Sequence, residues 1–138
     1  MGRIIEKVTV KNFVDISKAA EGALKESDIR TAEVEAIVDT GAAFLCLPPQ
    51  VIADLGLMYT KTRNITTANG RVLRRVFTGA MITIHEREIL MDVMENDQTT
   101  PALVGYLVLE NMDLVPDPRT QKLIGNPQHH GEWISDLF

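Results

Sequence analysis

The sequence predicts a mainly β domain with two short helices, and three observations carry that expectation. Residues 30–38 alternate apolar and polar side chains, Asn69-Gly70 sits between two β-rich arms, and Ala80–Ile84 and Ile89–Met94 flank a charged turn at His85–Glu88. A chain of 138 residues with 45% hydrophobic composition is sized for one globular domain with a real core, and it is too short for a two-lobed enzyme in a single chain. Fourteen Lys and Arg against nineteen Asp and Glu give a net charge of −5, so no overall basic field exists to hold a phosphate backbone and nucleic acid is not an expected partner. The opening Met1-Gly2-Arg3-Ile4-Ile5-Glu6-Lys7 mixes charge with apolar residues. It lacks the apolar run of a signal peptide, and nowhere does an apolar run approach the length of about 18 residues that a spanning helix needs. The expectation is a cytoplasmic protein, neither exported nor embedded in a membrane.

Arg3 to Val10 reads as a strand with Ile5, Val8 and Val10 as its apolar members. From Asp15 to Lys25 the residues Ile16, Ala19, Ala20, Ala23 and Leu24 recur at helical spacing, interrupted by Gly22, which predicts a short helix or an irregular excursion. Arg30 to Val38 is a strand that becomes more buried toward its C-terminal end. Phe44-Leu45-Cys46-Leu47 suits a short buried strand, and Pro48-Pro49 with Gly56 bracket a helix of about two turns, since proline fits a helix start and glycine the position just past its end. Ile65–Thr67 and Val72–Phe77 are the arms of a hairpin around Asn69-Gly70, a pair that readily takes positive φ. A second hairpin turns at His85–Glu88. Ala102–Gly105 is a short apolar run, Tyr106–Met112 is long enough for a helix, and Leu114–Pro118 with Lys122–Ile124 read as strand, turn and strand. No repeat, linker or low-complexity segment divides the chain.

Chemistry concentrates at Val34-Glu35-Ala36-Ile37-Val38-Asp39-Thr40-Gly41-Ala42. An apolar strand ending in aspartate, then a small hydroxyl residue and a glycine, presents a carboxylate at a tight turn where backbone amides can hold it. Buried aspartate is rarely tolerated without partners, so its place beside apolar residues asks for a functional reason. The triplet alone is weak, because Asp and Gly both favour turns. Its context adds weight: a hairpin tip follows about 30 residues later, and Leu103-Val104-Gly105 leads into a helix.

Together these motifs resemble the retropepsin-like aspartic proteases of the short non-viral bacterial and archaeal type. The resembling parts are Ile37-Val38-Asp39-Thr40-Gly41-Ala42, Leu47-Pro48 before a helix ending Leu55-Gly56-Leu57, Thr67-Ala68-Asn69-Gly70, Leu103-Val104-Gly105 with Leu109-Glu110, and Leu114–Pro118 followed by Leu123. The likeness runs from about Val34 to Ile124, within a single domain spanning 1–138 whose residues 126–138 form a tail. It implies an all-β, closed-barrel-like fold with one or two short helices, and a homodimeric peptidase acting on a peptide or protein substrate without cofactor or metal. Two aspartates sharing a proton supply both the base that activates water and the acid that protonates the leaving group. Since one chain has one such triplet, Asp39 would meet its twin across a twofold axis. By the same resemblance Thr40 joins the two catalytic loops, Gly41 lets substrate approach and Ala42 lines the floor. Ala68, Asn69, Gly70 and Arg71 form the tip of a flap, Leu103 and Val104 back the catalytic loop, and Gly105 lets the next helix pack closely. Ala43 and Tyr106 stand where viral members carry Asp and Arg, so those ionic contacts do not carry over. The flap also lacks the viral run of glycines. The alternative from another class is an inactive domain of the same fold used for dimerisation or peptide binding.

Other features read as structural. Cys46 is a small buried hydrophobe without electropositive neighbours. His129-His130-Gly131-Glu132 is an exposed polar tail and not a metal site, because adjacent histidines point apart. His85, Glu86, Glu88, Asp92 and Glu95 belong to solvated faces, and Trp133 anchors the tail against the body. No Gly-Lys-Ser/Thr phosphate loop is present.

Overall fold

Residues 3–135 are described by the computed structural model; Met1, Gly2 and positions 136–138 of the tail lie outside them. Strand β1 (Ile5–Asn12) runs into helix α1 (Phe13–Ala20), and β2 (Thr31–Val38) returns beside it. Then come β3 (Leu45–Leu47), α2 (Pro49–Leu55), β4 (Met58–Thr67), β5 (Gly70–Ile84), β6 (Arg87–Glu95), β7 (Leu103–Val104), α3 (Tyr106–Met112), β8 (Leu114–Asp117) and β9 (Lys122–Gly125). Among the described residues there are three short α-helices, where the resemblance implied one or two. Hydrogen bonding runs in the order β1-β2-β7-β3-β6-β5, and β5 pairs again with β1, so six strands form a closed ring. Outside the ring β4 pairs with β5 only, and β8 and β9 make a separate two-stranded sheet.

Burial follows the period of two expected of strands with one covered face. Val8, Val10, Ala36, Leu45, Leu47, Ile82, Ile84, Val93 and Val104 fill the ring, with Ile52 and Leu55 of α2 and Val108 and Met112 of α3 closing it. Strand β5 changes role along its length. Between Phe77 and Ala80 its pairing with β6 shifts register at Gly79, which takes a φ of +89°, and the bulge redirects the strand from ring to hairpin.

Three turns differ from the sequence expectation. Helix α1 starts two residues before Asp15 because the Asn12 side chain caps it, and it ends at Ala20, with Gly22, whose φ of +81° suits the position just past a helix end, following its C-cap Glu21. In the first hairpin Thr67 pairs with Gly70, so the loop is Ala68-Asn69 and the positive φ, +108°, falls on Gly70 alone. The second hairpin turns on His85 and Glu86, both at positive φ (49° and 68°), and His85 pairs with Glu6 instead of being merely solvated.

A small polar hub ties the helices to the ring. Asn12 is 3% exposed; its oxygen accepts from the Asp15 N–H at 3.0 Å, while its amide donates to Leu55 O at 2.8 Å and Gly56 O at 3.3 Å. One side chain thus caps the start of α1 and the end of α2. Asp15 is 4% exposed and accepts from Arg30 three times, at Nε (2.8 Å), Nη2 (3.0 Å) and the backbone N–H (3.0 Å). The hydrogen bonds from the Arg30 side chain, more than any other influence, hold the Asp15 carboxyl down at about 2 against an ordinary 3.8.

A depressed carboxylate contributes stability at pH values above its unfolded pKa and loses it as pH falls toward the folded one. Asp15→Asn is expected to lower unfolding free energy by about 2 kcal/mol near neutrality. In urea denaturation the gap between parent and variant should then close as pH drops from about 4 toward 2; a gap that stays constant with pH would show that the charge is not what matters.

Candidate active site

Asp39 follows β2 directly, and its loop is held by main-chain bonds to the segment entering α3. The Asp39 N–H donates to Val104 O at 2.9 Å, Gly105 N–H to Phe44 O at 2.9 Å, Tyr106 N–H to Ala42 O at 2.8 Å and Leu107 N–H to Ala43 O at 3.0 Å. The first donors of α3, which has no side-chain cap, are satisfied by the Asp39 loop itself. This docking requires glycine at 105: a Cβ there would come within 2.5 Å of Phe44 O and 2.6 Å of Ala43 O, with no flexible side chain to yield. Gly105 has a φ of −89°, so close approach is its reason and not backbone freedom.

The carboxylate is oriented by its own turn. Asp39 Oδ1 accepts the Gly41 N–H at 2.9 Å, and a Cβ at Gly41 would lie 3.2 Å from that oxygen. Among the described residues no donor reaches Oδ2. The half-buried Asp39 lines a cavity of about 760 Å³ together with Gly41, Ala42, Ala43, Phe44 and Cys46. Across it stand Ile65–Asn69, Val72 and Arg74 from the β4–β5 hairpin, and Met94, Asn96, Asp97, Thr100, Leu103 and Tyr106 complete the wall.

Of the residues singled out from sequence, Asp39, Gly41, Ala42, Ala68, Asn69 and Leu103 meet in this cavity. Thr40 does not line it. It is exposed and borders a separate groove of about 480 Å³ with Arg3, Ile4, Val38, Pro116, Pro118 and Gln121. Gly70 and Arg71 belong to the hairpin without lining the cavity, while Val104 is fully buried behind Leu103. Phe44, Arg74 and Asp97 escaped the sequence reading. Arg74 follows from laying out hairpin register once the turn is fixed, and Asp97 from an Asp followed by threonines at the second and third positions, a side-chain turn signal, whereas Phe44, just before β3, had no local signal of a place in the cavity.

Asp97 differs from Asp39. Its Oδ1 takes four donors, the N–H and hydroxyl groups of Thr99 and Thr100, all at 2.8–2.9 Å, and Arg74 lies 3.6 Å from Oδ2. The threonine hydroxyls above all hold its carboxyl at about 2, so it is a fixed anion at neutral pH. Cys46 is 6% exposed, and burial first, the Asp39 charge second, push its thiol up to about 11. It stays protonated and is no nucleophile.

Elsewhere the sequence reading needs correcting. Glu95 is not solvated, since Arg75 grips it with two hydrogen bonds of 2.8 and 2.7 Å. The tail is docked and not free: His129 Nδ1 is 2.5 Å from Asp113 Oδ2, and Arg87 donates to Met112 O, Asp113 O and Gly131 O. Trp133 Nε1 donates to Asn111 O at 2.9 Å, as an anchor should. Among the described residues no group of three or more His, Cys, Asp or Glu is placed to hold a metal, and no helix is long and apolar enough to cross a membrane.

The family model described as "gag-polyprotein putative aspartyl protease" matches residues 26–111, from the turn before β2 into α3. The chain belongs to this family of retropepsin-like aspartyl protease domains, and its general function class is that of an aspartic protease. No curated protein sequence matches it.

Gly105→Ala forces the loop and α3 apart. It is expected to lower stability by about 1–3 kcal/mol, read as an earlier urea midpoint, and to speed amide exchange at Tyr106 and Leu107. Unchanged exchange at those two amides would mean the loop does not depend on the close approach.

Proposed function

We propose that the protein is a homodimeric aspartic endopeptidase in which the Asp39 carboxylates of two copies face each other and activate water. The observation that carries the reading is the asymmetry of Asp39: one oxygen is fixed by the Gly41 N–H, the other is left to the cavity. Hydrolysis without a covalent intermediate needs a base and an acid. Asp97, the other carboxylate lining the cavity, is saturated by threonine donors and stays ionised, so it has no proton to give. The second acid has to come from outside the chain, and a twofold-related Asp39 is the simplest source.

In this mechanism one Asp39 takes a proton from water as its oxygen bonds to the scissile carbonyl carbon. The protonated twin donates a hydrogen bond to the carbonyl oxygen, and the first Asp39 then passes the proton it took from water to the nitrogen as the C–N bond breaks, so the dyad is restored and one water is consumed per bond cleaved. Two carboxylates this close resist double ionisation, which keeps one proton shared between them. Thr40, exposed beside Asp39, joins the two loops across the dimer axis; Gly41 and Ala42 leave room for the peptide backbone. The hairpin, with Ala68, Asn69, Gly70 and Arg71 at its tip, closes over an extended substrate and adds main-chain hydrogen bonds to it. Leu103, Val104 and Gly105 hold the loop from behind. The chemistry calls for no cofactor, and the single buried thiol suits the reducing cytoplasm.

Asp39→Asn keeps the shape of the side chain and removes the base. Peptide-library cleavage between pH 4 and 7 is expected to fall by at least about 100-fold while sedimentation still reports a dimer. Cleavage that survives the substitution would overturn the mechanism, and silence from both proteins, each dimeric, would mark a binding module of the same fold.

A further inference from the structure

The hairpin beside the cavity carries a charge that the rest of the chain does not. Residues 58–80 hold Lys61, Arg63, Arg71, Arg74 and Arg75, five of the fourteen Lys and Arg, and none of the nineteen Asp and Glu. Register sorts them by face, because residues directly opposite or two apart along a strand project to the same side. Arg63 lies opposite Arg74, Ile65 opposite Val72 and Lys61 opposite Val76. Ile65, Val72 and Arg74 line the Asp39 cavity, so Lys61, Arg63 and Arg74 belong to the cavity side.

Two arginines directly across a strand pair repel, and the protein answers only part of that repulsion. Arg74 has Asp97 at 3.6 Å. Arg63, exposed, has no ion-pair partner among the described residues; its guanidinium lies over the Phe44 ring, 5.4 Å from the centroid. Phe44 is itself part of the cavity wall. Stacking fixes the plane of a guanidinium and leaves its N–H fork directed outward, the geometry that takes a carboxylate with two hydrogen bonds. A cation is thereby held at the edge of the cavity, its donors without a hydrogen-bond partner among the described residues.

Resting on the reading of this cavity as the peptide site, we propose that the site selects acidic peptides, with Arg63, backed by Arg74 and Lys61, binding a glutamate or aspartate side chain of the substrate. Phe44, Ile65 and Val72 take a neighbouring apolar side chain. A nucleic acid fits less well, because it carries a charge at every residue against the Asp39 and Asp97 carboxylates that line the same cavity, whereas a peptide can offer one acidic side chain to Arg63 and neutral residues beside those carboxylates.

The test uses two labelled peptides with Leu-Phe at the centre, one flanked by glutamates and one by glutamines, bound to the full chain carrying Asp39→Asn so that neither is cut. Fluorescence anisotropy at low salt should show the glutamate peptide binding about tenfold tighter, with the ratio collapsing toward one as salt rises. Adding Arg63→Glu should invert the ratio; Lys25→Glu, the same change in net charge outside the hairpin, should preserve it. Equal affinities, no binding of either peptide, a ratio indifferent to Arg63→Glu, or a polyuridine oligonucleotide binding more tightly than the glutamate peptide would each overturn the proposal. Cleavage by the parent separates this from the peptidase reading. Asp39-dependent cutting without a glutamate preference sinks the selectivity alone, whereas a glutamate preference in binding with no cutting sinks the peptidase and leaves the selectivity standing.

Discussion

The main-chain bonds between residues 39–44 and 104–107 are the constraint on which the site depends. A loop carrying an aspartate into a half-buried position must satisfy its own peptide groups, and a helix entering without a side-chain cap must satisfy its first N–H groups. The two needs cancel against each other. Ala42 O and Ala43 O accept from the start of α3, and Asp39 N–H donates to Val104 O, so neither segment is complete alone. With no Cβ at 105 the contact closes, and the carboxylate is placed by backbone geometry without help from neighbouring ionic groups.

The same economy recurs at two other junctions. Asn12 caps one helix and terminates another, and Arg87 gathers carbonyls from the end of α3 and from the tail at Gly131. Short helices cannot hold themselves in water, because nucleation costs more than two turns of hydrogen bonds return. Here each of α1, α2 and α3 has a terminus satisfied by a side chain or loop from a different element, and the ring of strands is the common support. Among the described residues no buried side-chain nitrogen or oxygen is left without a partner.

How far the sequence could be read tracks how local each determinant is. Pro49 at a helix start with Gly56 beyond its end, and the run Tyr106–Met112, placed α2 and α3 correctly because those signals lie within the elements themselves. Asp39-Thr40-Gly41 stood out for the same reason. What depends on a partner far along the chain stayed hidden: Asp15 is buried because Arg30 arrives fifteen residues later, Glu95 is gripped by Arg75 from the neighbouring strand, and His129 meets Asp113. The hairpin was found but its turn was displaced by one position, since Gly70 supplies the positive φ without help from Asn69. Moving a two-residue loop by one position shifts the pairing by two residues, so each arginine keeps its face, but Arg63 would then lie opposite Val76 instead of Arg74.

Strand β4 is ten residues long and pairs on one side only, so it presents an open row of peptide groups at the margin of the sheet. Such a margin is a template for uncontrolled stacking of one molecule on another, and natural proteins blunt it with positive charge. Lys61 and Arg63 lie on this strand, with a register irregularity between Tyr59 and Lys61. Two molecules approaching margin to margin would bring like charges together along a bulged strand. The cations of the hairpin therefore also act as protection against aggregation, and they narrow the ways in which copies of the chain can meet to those that leave β4 exposed to solvent.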